Sequence, residues 1–309
     1  MVTAQEVAAG SFLPTGMQTD APEAAVYKKL PTFCRAIIEA TPSYDSKIAI
    51  EVWLPVAHWN QKLRGQGNGG FAGALDYRGM ANSVGLRYAS AATDAGHKGE
   101  ATDSSWALGH PEKVIDFGYR AVHEMTGIAK TVVENYYRRA QKRAYFDACS
   151  DGGREALMEA QRFPEDYDGI LAGAPANDWT DMLAGGLQVE KSVLANRANF
   201  IPPDRLPMIT DAVLKACKAK DDFLNDPPEC HFDPGILLCG QIRTGSCLSA
   251  PQVQTLKSIY KGGADSTGRQ IFPGLMPSSE AGDGGWQDWV TGKEFGKSDG
   301  VAYTSGFFQ

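Results

Sequence analysis

The stretch between residues 143 and 174 constrains the fold of this chain more than any other. A run typical of a strand covers residues 143–149 and leads directly into Ser150, two of whose next three neighbours are glycines. A helix-forming run covers residues 154–162, and a second apolar run typical of a strand covers residues 169–174. The stretch therefore predicts a strand, a tight turn that carries a serine, a helix and a second strand.

Ser150 has two possible roles at this turn. Serine is a favoured N-cap residue, so Ser150 could simply begin the following helix. In α/β-hydrolases, however, the same arrangement is the nucleophile elbow, a turn so sharp that the serine oxygen stands clear of the backbone. Such a turn needs small neighbours, and Ala148 and Gly152 lie two residues before and after the serine. The flanking strands and helix favour the elbow, in which the N–H of Asp151 would point at a developing oxyanion.

The rest of the first half of the chain alternates in the same way. Runs typical of strands cover residues 47–54, 63–66 and 88–93, and a long amphipathic helix is predicted over residues 112–138. Strands that alternate with helices predict an α/β fold, a mainly parallel sheet with helices on both faces. After about residue 184 the sequence changes to helical runs, cysteine-rich loops and a tail rich in Gly, Ser and Asp.

The composition excludes several classes of function. The chain has 309 residues, of which 43% are hydrophobic and 22% charged, as expected for a folded protein. The net charge of −7 argues against a nucleic-acid-binding surface. No run of about 18 apolar residues predicts a membrane span, and the N-terminal residues show no signal peptide.

The six cysteines fall into two groups. Four of them lie in one segment: Cys217, Cys230, Cys239 and Cys247. These four could form a metal site or two disulfides. The paired C-x2–4-C spacing that zinc sites prefer is missing, so disulfides are favoured. Cys34 and Cys149 stand alone.

The chain resembles the tannase and feruloyl esterase family of serine hydrolases. The hallmark of that family is a Cys-Ser pair at the elbow, which Cys149 and Ser150 match. Further blocks resemble the family in the family's order: GNGGFAG at 67–73, ASAATDAGH at 89–97, HPEKVIDFGYRAVHEMT at 110–126 and CLSAPQVQTLKSIYKGG at 247–263. The resemblance implies an α/β-hydrolase fold and hydrolysis of carboxylic esters, with small esters of aromatic acids such as ferulate or gallate as substrates.

The resemblance also implies a division of the chain. Residues 1–183 would form a partial α/β-hydrolase catalytic domain that lacks its final strands, and residues 184–309 an incomplete lid domain. Cys217–Cys230 and Cys239–Cys247 would be two local disulfides of the lid. Disulfides indicate an oxidising compartment, so we expect a secreted or periplasmic protein.

The sequence does not supply a partner set for Ser150. A serine nucleophile needs a histidine held by a carboxylate, and in this fold both follow the serine along the chain. The single later histidine, His231, is interpreted as a surface-loop residue, and His97 as a structural or pocket-wall residue. The family places its acid and base beyond the lid, with a cysteine that bonds the one at the elbow. We therefore expect a chain truncated at the C-terminus, without the triad Asp and His and without partners for Cys149 and Cys34.

Further candidate positions surround the elbow. Gly69 and Gly70, in the loop after a predicted strand, are candidates for the second oxyanion donor beside Asp151, or form a turn with no catalytic task. The loop matches neither a dinucleotide-binding pattern nor a P-loop. Arg154 and Glu155, at the start of the elbow helix, are interpreted as packing residues.

The sequence predicts neither a metal site nor a cofactor. The acidic residues between 221 and 233 could suggest the calcium loop of the family's lid, but the loop is short and lacks Asp-Gly steps. A solvated acidic loop is the better interpretation.

The alternative to an esterase is a catalytically inactive remnant that at most binds aromatic esters.

Overall fold

The computed structural model describes residues 2–240 and 247–308 of the chain. The chain forms two compact units, which we call unit 1, up to Asn177, and unit 2, from Asp178 onwards. The boundary predicted after residue 183 falls inside the first helix of unit 2, Trp179–Leu194. The assignment of the two parts as a catalytic domain and a lid stays a prediction.

Unit 1 is built on a seven-stranded mixed sheet with the order β1-β2-β3-β5-β4-β6-β7. The strands are β1 (Val2–Val7), β2 (Phe33–Ala40), β3 (Ile48–Pro55), β4 (Lys62–Gln66), β5 (Ala89–Thr93), β6 (Arg143–Cys149) and β7 (Gly169–Gly173). Strands β1, β2, β3 and β5 pair antiparallel, whereas β5, β4, β6 and β7 pair parallel. The prediction of a mainly parallel sheet is therefore right only for the half of the sheet that carries Ser150.

Helices cover both faces of this sheet, as predicted. They are α1 (Tyr77–Gly85), α2 (Pro111–Ile115), α3 (Ala121–Tyr137) and α4 (Asp151–Arg162), with short 3-10 turns at Pro22–Ala25, Tyr27–Lys29 and Ser105–Ala107. Strand β3 shows why the sheet has two buried faces, since its alternate residues point in opposite directions. Ile50 packs in one apolar cluster with Met125 of α3, and Trp53 in another with Met80 of α1.

The long helix predicted over residues 112–138 is interrupted. A π-helical turn, Asp116–Arg120, separates α2 from α3. The Arg154 guanidinium, which lies on α4, donates to the carbonyl oxygens of Phe117 (3.0 Å) and Gly118 (3.1 Å) in this turn. A widened turn directs backbone carbonyls away from the helix ladder, where a side chain from another element can bond them.

Unit 2 is mainly helical. Its helices are α5 (Trp179–Leu194), α6 (Leu206–Ala216), α7 (Ala250–Lys261), α8 (Trp286–Trp289) and α9 (Asp299–Phe307), with a hairpin of β8 (Gly262–Ala264) and β9 (Gln270–Pro273) and 3-10 turns at Arg197–Asn199, Pro203–Arg205, Pro227–Glu229 and Pro234–Leu237. Its core joins α6 and α7 through side chains such as Ile209 and Leu256. Disulfides link Cys217 to Cys230 and Cys239 to Cys247, the pairing that the resemblance implies. Among the described residues, no helix has the length and apolar character needed to cross a membrane.

Candidate active site

Ser150 lies at the tip of a strained turn between β6 and α4. Its backbone has φ 63° and ψ −119°, in a region that residues other than glycine rarely adopt. The Ser150 N–H donates to Gly173 O at 3.0 Å, and Ser150 O accepts from the N–H groups of Arg154 and Ala176 at 3.1 and 2.9 Å. The serine occupies the N-cap position of α4, but its side chain makes no capping hydrogen bond and is exposed. The geometry is therefore that of an elbow rather than of a capping serine.

Close packing at the elbow explains the small residues around Ser150. A Cβ added to Gly152 would lie 2.6 Å from the Ala148 Cβ and 3.0 Å from Asn68 O. A Cβ added to Gly67 would lie 2.6 Å from the Ala148 Cβ and 2.8 Å from the Gly152 Cα. Strand β6, helix α4 and the loop after β4 thus meet at van der Waals distance, and larger side chains would separate them.

The glycine loop, residues 67–70, is bonded to helix α4 at one residue. Asn68 donates its N–H to Glu155 Oε2 at 2.9 Å, and Asn68 O accepts from the Gly152 N–H at 2.9 Å. On its other side, the Asn68 side-chain amide donates to the carbonyl oxygens of Ala74 and Thr93. The loop that carries Gly69 and Gly70 is thereby held beside the first turn of α4.

Asp151 provides the backbone N–H nearest to Ser150. Because it is the first residue of α4, its N–H has no acceptor within the helix. Its buried carboxylate accepts two hydrogen bonds from Arg154, at 2.6 and 3.3 Å. Burial raises the pKa of the Asp151 carboxyl, and the Arg154 guanidinium opposes that rise. The Asp151–Arg154 pair ties the first turn of α4 to the π-helical turn.

Two further carboxyl groups are buried along α4. Burial raises the pKa of Glu155 to about 8, with a further rise from the neighbouring Asp151 charge. Burial also raises the pKa of Glu159 to about 8. Sequence reasoning assigned Glu155 to packing and missed its bond to Asn68. The available signal was an acidic residue on the buried face of a helix, a position where apolar residues are usual.

Each of the five histidines of the chain either contacts a group other than Ser150 or lies exposed in a loop. His97 is buried, with Nε2 2.7 Å from Phe71 O and its ring stacked on Trp106, and burial lowers its pKa. His110 pairs with Asp45 and His123 with Asp166. His58 and His231 are exposed loop residues. Within the described residues, no histidine forms a hydrogen bond with Ser150.

The remaining predicted positions are as follows. Cys34 and Cys149 are free thiols, half-buried and exposed respectively. Over the described ranges, no three His, Cys, Asp or Glu side chains are grouped so that they could hold a metal ion. Whether the Asp151, Gly69 and Gly70 amides form an oxyanion hole stays a prediction.

Comparisons with known proteins give consistent matches. The model of the family described as tannase and feruloyl esterase matches residues 34–306. An uncharacterized esterase of Xanthomonas campestris pv. campestris is 40% identical over 291 residues, which are 93% of this chain and 50% of that protein. A probable feruloyl esterase B-1 of Aspergillus oryzae is 30% identical over 80% of this chain and 47% of its own length. The chain thus spans about half the length of the curated relatives it matches.

Solved structures also match most of this chain. The crystal structure of feruloyl esterase B from Aspergillus oryzae gives a TM-score of 0.82 with 27% identity, over 99% of this chain and 60% of that one. The structure of a tannin acyl hydrolase from Aspergillus niger gives a TM-score of 0.67 with 25% identity, over 91% of this chain and 54% of that one.

Proposed function

Since this chain belongs to the tannase and feruloyl esterase family and has the α/β-hydrolase type of fold, both as predicted, we propose that it is a carboxylic ester hydrolase with Ser150 as nucleophile. The observation that carries the proposal is the backbone of Ser150, which is held at φ 63° with its side chain free and exposed. Strained conformations of this kind concentrate at functional sites, where the surrounding structure holds them.

The proposed reaction proceeds through an acyl-enzyme. Ser150 Oγ forms a bond to the ester carbonyl carbon, and the carbonyl electron pair moves onto its oxygen. The Asp151 N–H and an N–H of Gly69 or Gly70 would donate to that oxyanion. The tetrahedral intermediate then expels the alcohol, and water releases the acid from Ser150. The serine proton must pass to a base, which we expect to be a histidine as in the triads of such hydrolases.

An ester of an aromatic acid is the proposed substrate. Two structural neighbours carry the names feruloyl esterase B and tannin acyl hydrolase, and both names denote acyl groups with an aromatic ring. The two disulfides of unit 2 further support a secreted or periplasmic location, because disulfides persist in oxidising compartments.

One observation favours a second candidate function. Among the described residues no histidine is bonded to Ser150, so a chain that only binds aromatic esters is the alternative. Binding without turnover would need the site but not the base.

The test compares the chain with two serine variants on p-nitrophenyl acetate and methyl ferulate. Ser150→Ala should remove almost all of the catalysed hydrolysis, since loss of a triad serine costs about 10⁶ in kcat. Ser105→Ala, an exposed serine outside the elbow, is the matched control and should keep the rate. An unchanged rate in Ser150→Ala would refute the esterase proposal. No turnover by any variant, with methyl ferulate bound, would favour the binding alternative.

A further inference from the structure

The carboxyl group of Glu155 is buried without a dedicated counter-charge. It lies five residues after Ser150 on α4 and is fully buried. The neighbouring Arg154 bonds Asp151 and the carbonyls of the π-helical turn instead. A buried carboxyl group is costly unless hydrogen bonds satisfy it. A helix that only packed against the sheet would be served better here by an apolar side chain.

The hydrogen bond that Glu155 makes runs to the glycine loop. Glu155 Oε2 accepts from the Asn68 N–H at 2.9 Å, across 87 residues of sequence. The same oxygen would lie 2.6 Å from a Cβ on Gly67, so the loop approaches it closely. In the opposite direction, Gly152 N–H donates to Asn68 O. Both backbone groups of Asn68 are therefore bonded to α4, one to a side chain and one to the backbone.

The positions next to these bonds are the two candidate oxyanion donors. Gly69 directly follows Asn68, and Asp151 directly precedes Gly152. Oxyanion donors act because they are already in place, about 2.7–3.1 Å from the oxygen that becomes charged. Fixing Asn68 against α4 thus fixes the separation of the two donors.

We propose that Glu155 is a positioning residue, whose carboxyl group clamps the glycine loop to helix α4 and so sets the geometry of the oxyanion hole. The catalytic part of this inference rests on the proposed esterase function. The clamp itself is a property of the fold and can be measured without turnover.

The chain offers a matched control for the clamp. Glu159 lies one helical turn after Glu155, is equally buried, and has a pKa that burial raises to the same value of about 8. In the described part of the chain it makes no hydrogen bond to the glycine loop. Changes at Glu159 therefore report what the loss of a buried carboxyl group on α4 does when the glycine loop is not contacted.

The first experiment is kinetic, on p-nitrophenyl acetate and methyl ferulate. Glu155→Asp keeps a carboxyl group but withdraws it by about one C–C bond (roughly 1.5 Å), and Glu155→Leu removes the acceptor. Both should lower kcat about 10- to 100-fold with KM nearly unchanged, because a donor displaced by about 1 Å can cost about 10²-fold. Glu155→Gln, which retains a side-chain oxygen for the Asn68 N–H, should recover most of kcat, and Glu159→Leu should keep it.

The second experiment measures hydrogen exchange in a peptide that covers residues 66–74. Glu155→Asp and Glu155→Leu should increase deuterium uptake there, whereas Glu155→Gln and Glu159→Leu should not. If the wild type hydrolyses no faster than Ser150→Ala, the esterase proposal fails and this exchange result alone decides the clamp. Unchanged exchange in Glu155→Asp, or a kcat loss in Glu155→Gln as large as in Glu155→Leu, would overturn it. If Glu155→Leu does not fold, Glu155→Asp carries the comparison.

Discussion

Moving one methyl group from strand β6 to helix α4 tests how closely the two elements pack at the elbow. In the single variant Gly152→Ala, the new Cβ would lie 2.6 Å from the Ala148 Cβ, closer than real Cβ atoms approach. The variant Ala148→Gly removes that obstacle and places at this position the glycine of the usual G-x-S-x-G elbow pattern. The double variant therefore places the methyl group on α4 instead of β6.

The structure gives the expected size of each effect. Overpacking at Gly152→Ala costs about 1–3 kcal/mol, partly offset by about 1 kcal/mol because alanine is the better helix former. Ala148→Gly loses a methyl group worth about 0.8 kcal/mol and places a glycine in a strand, at about 0.5–1 kcal/mol. In the double variant the main overlap is gone. We expect it to be more stable than the sum of the two singles by about 1–3 kcal/mol, the overpacking term.

The assay is urea unfolding of each variant. Unfolding is monitored through hydrogen exchange of a peptide from unit 1, so that unit 2 does not contribute to the signal. Gly127→Ala provides the control, since this glycine lies in α3 and a Cβ there would meet nothing within 4 Å. Gly127→Ala should stabilise unit 1 and add to Ala148→Gly without coupling. Additivity of Gly152→Ala and Ala148→Gly within about 0.5 kcal/mol would refute the packing argument.

Two predictions concern unit 2. Replacing Cys217 and Cys230 together by serine opens a loop with a sequence separation of 13 and should lower the free energy of unfolding of unit 2 by about 3 kcal/mol; an unchanged urea midpoint would contradict this. Burial raises the pKa of Glu190 to about 8, opposed by the hydrogen bond from Ser298. The folded state then holds a proton that the unfolded state releases above about pH 4.5. Stability should fall by up to about 1.4 kcal/mol per pH unit towards pH 8. Glu190→Gln should flatten that slope, and a slope equal to the wild type's would show that Glu190 is not its source.

The sequence predicts local features of this fold better than distant ones. Strands β3 to β7 follow from short apolar runs bounded by turn residues. Strand β1 was missed because VTAQEV is an exposed edge strand with no apolar face, and β2 was missed with it. The predicted continuous helix over residues 112–138 was wrong at the π-helical turn. That turn is bonded to Arg154, more than thirty residues away, and no local pattern encodes this contact.

The candidate site also has parts that a local sequence pattern locates and parts that it does not. The turn at Ser150 and the small residues Ala148 and Gly152 lie within five residues, so a short pattern suffices to locate them. The clamp joins Glu155 to Asn68 across 87 residues. From one sequence, the pattern of a helix can indicate whether an acidic residue is buried or exposed. It does not indicate which group that residue contacts. Its partner becomes visible once strands β4 and β6 are known to be neighbours.

The elbow depends on β7 as much as on the residues next to Ser150. A residue at φ 63° in this region costs about 1–3 kcal/mol. Three backbone hydrogen bonds meet at Ser150, from or to Gly173, Arg154 and Ala176, and each contributes about 0.5–1.5 kcal/mol. Their sum matches the strain, but only the bond to Arg154 lies within the helix. Strand β7 and the turn after it supply the other two. The strand, turn, helix and second strand together are therefore a stronger signal than the pattern of Ala148, Ser150 and Gly152 alone, because the partners in all three bonds that hold the serine lie outside that pattern.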